Sequence, residues 1–214
     1  MLSVSPLPAC RAGRLLLASV VALVVLGFAS GSIAQQAPPP APKVSDQPLT
    51  AEQLGVYKFI LTHWMYDGKS PLNLIIQTDA FSMEDASDAQ ACLKGLDLEP
   101  YDPAVVHRFR LQDLPQLNPV HLQLVEREAQ QKVVEENDPS RLIQRGKSVE
   151  EAVKSGFDHG YAWVTEIRCD KSHTHAVVSY GFHCGGLCGN GGTAILEKTD
   201  GVWKIKGYCS NWIS

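Results

Sequence analysis

The chain has 214 residues, 19 Lys and Arg against 23 Asp and Glu for a formal net charge of -4, and 44% hydrophobic residues. That length suits one domain with a sizeable core. The acidic balance, with no Lys- and Arg-rich cluster or helix stripe, argues against nucleic acid and anionic membrane as partners.

Residues 1–34 read as an export signal: Arg11 and Arg14 precede an apolar run from Leu15 to Ala29, and Ser32-Ile33-Ala34 supplies a small-x-small cleavage pattern. The run is shorter than the roughly 20 residues a membrane-spanning helix needs. Cleavage leaving Gln35 as the mature N-terminus is therefore expected over a retained anchor, with no stable membrane insertion afterwards. Of the six cysteines, Cys10 leaves with the signal, and Cys92, Cys169, Cys184, Cys188 and Cys209 remain. They would face an oxidising compartment, periplasmic or secreted. An odd number leaves one thiol free, metal-bound or paired between chains.

Residues 35–49, which include APPPAPKVSDQP, read as a proline-rich linker, and one domain is expected over 50–214. Thr50 and Gln53 form a capping box, and Leu54, Tyr57, Leu61, Trp64 and Met65 recur at helical spacing, so 51–66 reads as an amphipathic helix with a core-facing stripe. LNLIIQT (72–78) has strand composition, and Ser82 with Asp85 marks a helix running towards Gly95. Four prolines between Pro100 and Pro119 predict loops, with a short helical turn around Val105 to Phe109. HLQLV (121–125) alternates like a strand, and REAQQKVVEEN (127–137) is helical in composition. Asp138-Pro139 opens a short turn that Gly146 closes, and Ser148 with Glu151 caps a further helix.

The last third reads as an antiparallel meander of four strands: 161–169, 175–184, 193–198 and 202–209. Asp200-Gly201 is a two-residue hairpin turn. Its register sets Lys198 against Trp203, Glu197 against Lys204 and Leu196 against Ile205, so apolar meets apolar and opposite charges meet. Continued without interruption, it places Gly192 opposite Cys209, with Cys209 on the face of Trp203 and Ile205. Cys184 shares the face of Ala176, Val178, Tyr180 and Phe182, whereas His183 takes the other. Cys184, Cys188 and Cys209 thus gather at one sheet end. Cys169 falls near the opposite end, with Cys92 its partner by elimination.

HCGGLCGNGG (183–192) is the most unusual stretch. Cys184, Cys188 and Cys209 offer zinc three ligands without a fourth. A redox pair wants C-x-x-C at a helix N-terminus, and this is C-x-x-x-C between strands. A cysteine nucleophile needs a histidine base, but His183 points away, although Gly185 and Gly189 offer backbone donors for an oxyanion. A phosphate cradle would lead into a helix, and this loop leads into a strand. The remaining reading is a structural disulfide, Cys184 to Cys188 or Cys188 to Cys209, with glycines supplying a tight turn. His173 and His175 have an H-x-H spacing that some metal sites use, although a catalytic metal usually takes three protein ligands. Trp163, Trp203 and Trp212 read as core packing rather than as platforms for sugar or base, with Trp212 the one placed for exposure.

The stretch THAVVSYGFHCGGLCGNGGTAILEKTDGVWKIKGYCSNWIS resembles a group of uncharacterised bacterial exported proteins. Their shared pattern is a C-G-x-L-C-G-x-G loop, LEK, a D-G or G-x-W hairpin and a final W-I-S. The resemblance implies export and a shared α+β fold. No activity attaches to the group, so no catalytic residue carries over, and Cys209 stands outside its pattern.

The expected fold is a single α+β domain: a C-terminal antiparallel meander with N-terminal helices packed on one face. The leading functional expectation is a non-enzymatic exported binding or scaffold module, stabilised by disulfide bonding, without cofactor, and with an envelope or extracellular protein partner. The alternatives are an exported hydrolase or thiol enzyme using the Cys184–Gly192 loop, and a metal-binding protein.

Overall fold

A computed structural model describes residues 41–65, 71–83, 91–117 and 121–214. The segment expected to be an export signal, the start of the proline-rich segment and most of the helix expected after Ser82 lie outside the described residues. In chain order the elements begin with β1 (Lys43–Val44), α1 (Ala51–Ile60), β2 (Leu72–Ile75), β3 (Val105–Val106), α2 (Leu114–Leu117) and β4 (Leu122–Val125). Three helices follow: α3 (Arg127–Glu136), α4 (Pro139–Gln144) and α5 (Val149–His159). The chain then forms β5 (Tyr161–Val164), β6 (Arg168–Cys169), β7 (His175–Gly185), β8 (Cys188–Thr199) and β9 (Val202–Ile213).

The main sheet has the order β4-β2-β5-β7-β8-β9, with β6 pairing β7. Its first half is parallel, β2 with β4 and with β5, and from β5 onward every pair is antiparallel. This is the α+β class expected, with the meander β7-β8-β9 at the C-terminus. Both capping boxes form, at Thr50 with Gln53 and at Ser148 with Glu151. The β8–β9 hairpin turns on Asp200 (φ 52°) and Gly201 (φ 78°), the left-handed pair a tight two-residue hairpin requires.

Helix α1 lies on the first face of the sheet. Its Leu54, Tyr57 and Ile60 meet Leu74, Val164, Val178, Leu196 and Trp203 in the main core. The second face is covered too. Val134 of α3 packs on Ile75 and Tyr161, and Phe81, Leu93, Leu98 and Tyr101 pack over Val177 and Ile195.

Four differences from the sequence reading matter. Structure begins before Thr50: Lys43 and Val44 pair in parallel with Val105 and Val106, and Leu49 is buried. Val105 and Val106 therefore form a strand and not a helical turn, because the end of the proline-rich segment supplies a partner for them. The expected strand 161–169 is interrupted between β5 and β6, where Glu166 turns inward. Finally, helix 51–66 changes character at Leu61, continuing as a π-helix over Leu61–Met65.

The largest consequence comes from two bulges in β9. The predicted register holds from Thr199–Val202 to Leu196–Ile205, and then Ile195 pairs with Gly207, Ala194 with Tyr208, and Thr193 with Ser210. Lys206 and Cys209 are the extra residues. Each bulge inserts one residue and reverses which face the following side chains take. Gly192 therefore meets Asn211 and not Cys209. Cys209 joins the second-face cluster, opposite Trp203 and Ile205.

Candidate functional site

The sequence-predicted loop is a staple. Cys184 and Cys188 are disulfide-bonded with Cα atoms 5.0 Å apart, closing the β7–β8 hairpin, and Cys184 is buried. Asp138 braces the turn. Its carboxylate accepts the Gly186 N–H at 2.6 Å and caps α4 by accepting the Arg141 N–H at 3.1 Å. Burial opposes that charge, but the amide donors of Gly186, Arg141 and Ser140 outweigh it and hold the carboxyl below the usual range. Gly185 sits at φ 148°, and a Cβ there would lie 2.6 Å from Asp138 Oδ2. Gly189 and Gly191 lie under the Trp212 ring. Close approach of neighbouring groups thus accounts for these three glycines without a ligand.

Cys209 does not join this loop. It is bonded to Cys92, with Cα atoms 5.4 Å apart, so the expected pairing of Cys92 with Cys169 is wrong and Cys188–Cys209 does not form. The bulge at Lys206 is the physical reason: by reversing the alternation after it, it turns the Cys209 side chain to the second face, where Cys92 lies. Among the described residues Cys169 is the free thiol. Burial, reinforced by Glu52, Glu99 and Asp170, pushes it up to about 11, which keeps it protonated and a poor nucleophile at neutral pH.

His173 and His175 are not brought together as a pair. His173 adopts φ 54° in the β6–β7 turn, with Nδ1 3.1 Å from Glu52 and Nε2 3.3 Å from Glu99. His175 is in β7, its Nδ1 3.0 Å from Asp170 and its Nε2 2.7 Å from Lys206 Nζ. The positive φ breaks the strand alternation on which the H-x-H reading rested. Among the described residues no group of three or more His, Cys, Asp or Glu is arranged to hold a metal ion.

Sequence reasoning missed two arrangements. In the first, the buried Glu166 carboxylate accepts from the Thr78 hydroxyl, from the His107 N–H at 2.7 Å, and pairs with His107 Nδ1 at 2.9 Å. All of these partners belong to the protein itself, so the group ties the ends of β2, β3 and β5 together. Nothing in the local sequence announces it, because the three residues come from distant segments.

The second arrangement lies on the first face, where α1 ends. The π-helix widens the last turn of α1, so Trp64 leaves the core stripe and remains 41% exposed. This corrects its expected place in the core. Its ring stacks on Tyr180 at 5.9 Å and meets Tyr208 edge-on at 5.3 Å. His63 stacks on Phe59 and meets Trp64 edge-on.

The bulges of β9 complete the site. Tyr180 of β7, Gly192 of β8 and Asn211 of β9 form one row across the sheet, and Val178, Ala194 and Tyr208 form the next. In a regular strand Tyr208 would point to the second face. The extra residue at Lys206 brings it to the first face, and the extra residue at Cys209 undoes the reversal for Asn211, which stays on the first face but now opposite Gly192. A Cβ at Gly192 would lie 2.5 Å from Asn211 Oδ1, so the absence of a side chain there lets the amide rest on the sheet.

Tyr180 is 4% exposed, and its hydroxyl makes no hydrogen bond among the described residues. A buried hydroxyl without a partner costs about 1–3 kcal/mol, so this position, beside the half-exposed Trp64 and unpaired among the described residues, is one where a polar group from outside would be accommodated. Burial, with a smaller effect from Tyr208, pushes the Tyr180 phenol up to about 12, and burial raises Tyr208 as well. Both phenols are therefore protonated at neutral pH and present neutral hydroxyls. The assembled groups are an indole, two phenols and an amide, suited to holding a ligand.

Comparison with protein-family models, with curated proteins and with solved structures finds no match to this chain.

Proposed function

We propose that this chain is a non-enzymatic exported binding module whose binding surface is the aromatic end of the first face, built on Trp64, Tyr180, Tyr208 and Asn211. The observation that carries this reading is the buried Tyr180 hydroxyl, without a partner among the described residues, beside a half-exposed indole. The thiol-enzyme alternative needs a reduced cysteine in the Cys184–Gly192 loop. Against it stand the bond between Cys184 and Cys188 and the high pKa of the remaining thiol. Two disulfides accord with an oxidising compartment, periplasmic or secreted. Among the described residues no helix is long and apolar enough to cross a membrane. Resemblance to exported proteins with the C-G-x-L-C-G-x-G loop points the same way.

The test has two parts. Cell fractionation with intact mass measurement is expected to find an exported protein beginning at Gln35, with Cys169 alone alkylated before reduction. Hydrogen exchange of that protein, with and without extract of the producing cell's envelope, is expected to show new protection confined to the segments around Trp64, Tyr180 and 207–212. A cytoplasmic product, or protection confined to the Cys184–Gly192 loop, would refute the proposal.

A further inference from the structure

Resting on the reading of this surface as the binding site, we infer that its ligand is a neutral carbohydrate, with one sugar ring lying against Trp64 and its hydroxyls meeting Tyr180, Tyr208 and Asn211. The chemistry of the two sides matches. An exposed indole offers a flat apolar surface, which suits the C–H face of a pyranose ring. Such a ring also carries hydroxyls around its rim, each a donor and an acceptor. Those are the groups that the orphan Tyr180 hydroxyl and the amide of Asn211 call for, since neither side chain hydrogen-bonds within the described residues.

Other ligand classes fit less well. A quaternary ammonium needs an aromatic cage with an open centre, but here the rings touch one another, with centroids 5.9 Å and 5.3 Å from Trp64. An anion needs a cationic partner. Among the described residues the cations set over aromatic rings lie at Phe81, Tyr101 and Trp203, and none at Trp64, Tyr180 or Tyr208. A purely apolar ligand would leave the Tyr180 hydroxyl buried and unpaired, at the cost already described.

The experiment is titration of the purified, disulfide-bonded protein with triacetylchitotriose, cellotetraose and maltotetraose, followed by calorimetry and tryptophan emission. Choline and trigalacturonate serve as cationic and anionic probes. At least one neutral oligosaccharide is expected to bind with a dissociation constant below about 1 mM. Trp64→Ala is expected to weaken binding about tenfold or more, and Tyr180→Phe, which keeps the ring and removes only the hydroxyl, to weaken it several-fold. Trp212→Phe, on the opposite face, is expected to leave it unchanged.

If no neutral oligosaccharide binds at about 10 mM while envelope extract still protects the segments around Trp64, Tyr180 and 207–212, the ligand class is overturned and the binding surface stands. The ligand class is equally overturned if only choline or trigalacturonate binds. If oligosaccharide binding ignores Trp64→Ala and Tyr180→Phe, or if neither saccharide nor extract touches this surface, the surface assignment falls as well.

Discussion

The two disulfides are expected to contribute unequally, and the inequality can be worked from the chain. Cys92 and Cys209 are 117 residues apart, and Cys184 and Cys188 are 4 apart. If a disulfide acts mainly by restricting the unfolded chain, the long loop is worth about 5 kcal/mol and the short one about 2 kcal/mol at 25 °C. Cys184 is buried, so removing its sulfur adds a packing loss of up to about 1 kcal/mol. The pair Cys92→Ala with Cys209→Ala should therefore cost about 5 kcal/mol, and Cys184→Ala with Cys188→Ala about 2–3. Urea unfolding at neutral pH reads both costs. With a slope of about 2 kcal/mol per M, the midpoints fall by about 2.5 M and about 1–1.5 M respectively. Should the Cys184–Cys188 variant prove as costly as the Cys92–Cys209 variant, the loop-entropy account fails. The small hairpin would then be holding something that its own contacts do not reveal.

Burial opposes the charge of Asp170, but hydrogen bonds from Ser172, His175 and Thr174 outweigh it and hold the carboxyl well below the usual range. A carboxyl depressed in the folded state stabilises the fold above its unfolded pKa of about 3.9, and that contribution is lost as pH falls through the folded value. Asp170→Asn should then cost about 2 kcal/mol at neutral pH and flatten the acid limb of the stability curve below about pH 4; an unchanged limb in urea titrations would exclude this role. For Cys169, pushed up to about 11, the rate of alkylation by iodoacetamide should rise about tenfold per pH unit between about pH 8 and pH 10, and a flat rate would contradict the burial argument. A Cβ at Gly191 would run into the Tyr180 carbonyl oxygen and lie 2.7 Å from the Trp212 ring. Gly191→Ala is expected to cost about 2 kcal/mol or more, and an unshifted melting temperature would show that the strands relax freely there.

Much of the fold is legible because its signals are local. Thr50 with Gln53, Ser148 with Glu151 and Asp200-Gly201 each satisfy their own backbone groups within four residues, so spacing alone identifies them. The Glu166–His107–Thr78 cluster has no such signal, since its members meet only after β2, β3 and β5 have converged. The aromatic site falls between these extremes. Strand alternation correctly places Tyr180 on the first face, but the same rule applied to β9 puts Tyr208 on the second face and sets Asn211 opposite Asn190, outside the row of Tyr180, and so dissolves the site. The missing information is two inserted residues. One of them did leave a trace, because Gly207 interrupts an otherwise side-chain-rich strand directly after Lys206, and an isolated glycine within a strand is a sign of a bulge. A bulge at that point reverses the parity of everything after it, bringing Tyr208 beside Tyr180. The same reversal sends Cys209 to the face that carries Cys92, and the second bulge returns Asn211 to the first face, in the row of Tyr180. One long-range disulfide and one candidate binding surface therefore share a cause: the irregularity of β9 supplies both, and a perfectly alternating strand would supply neither.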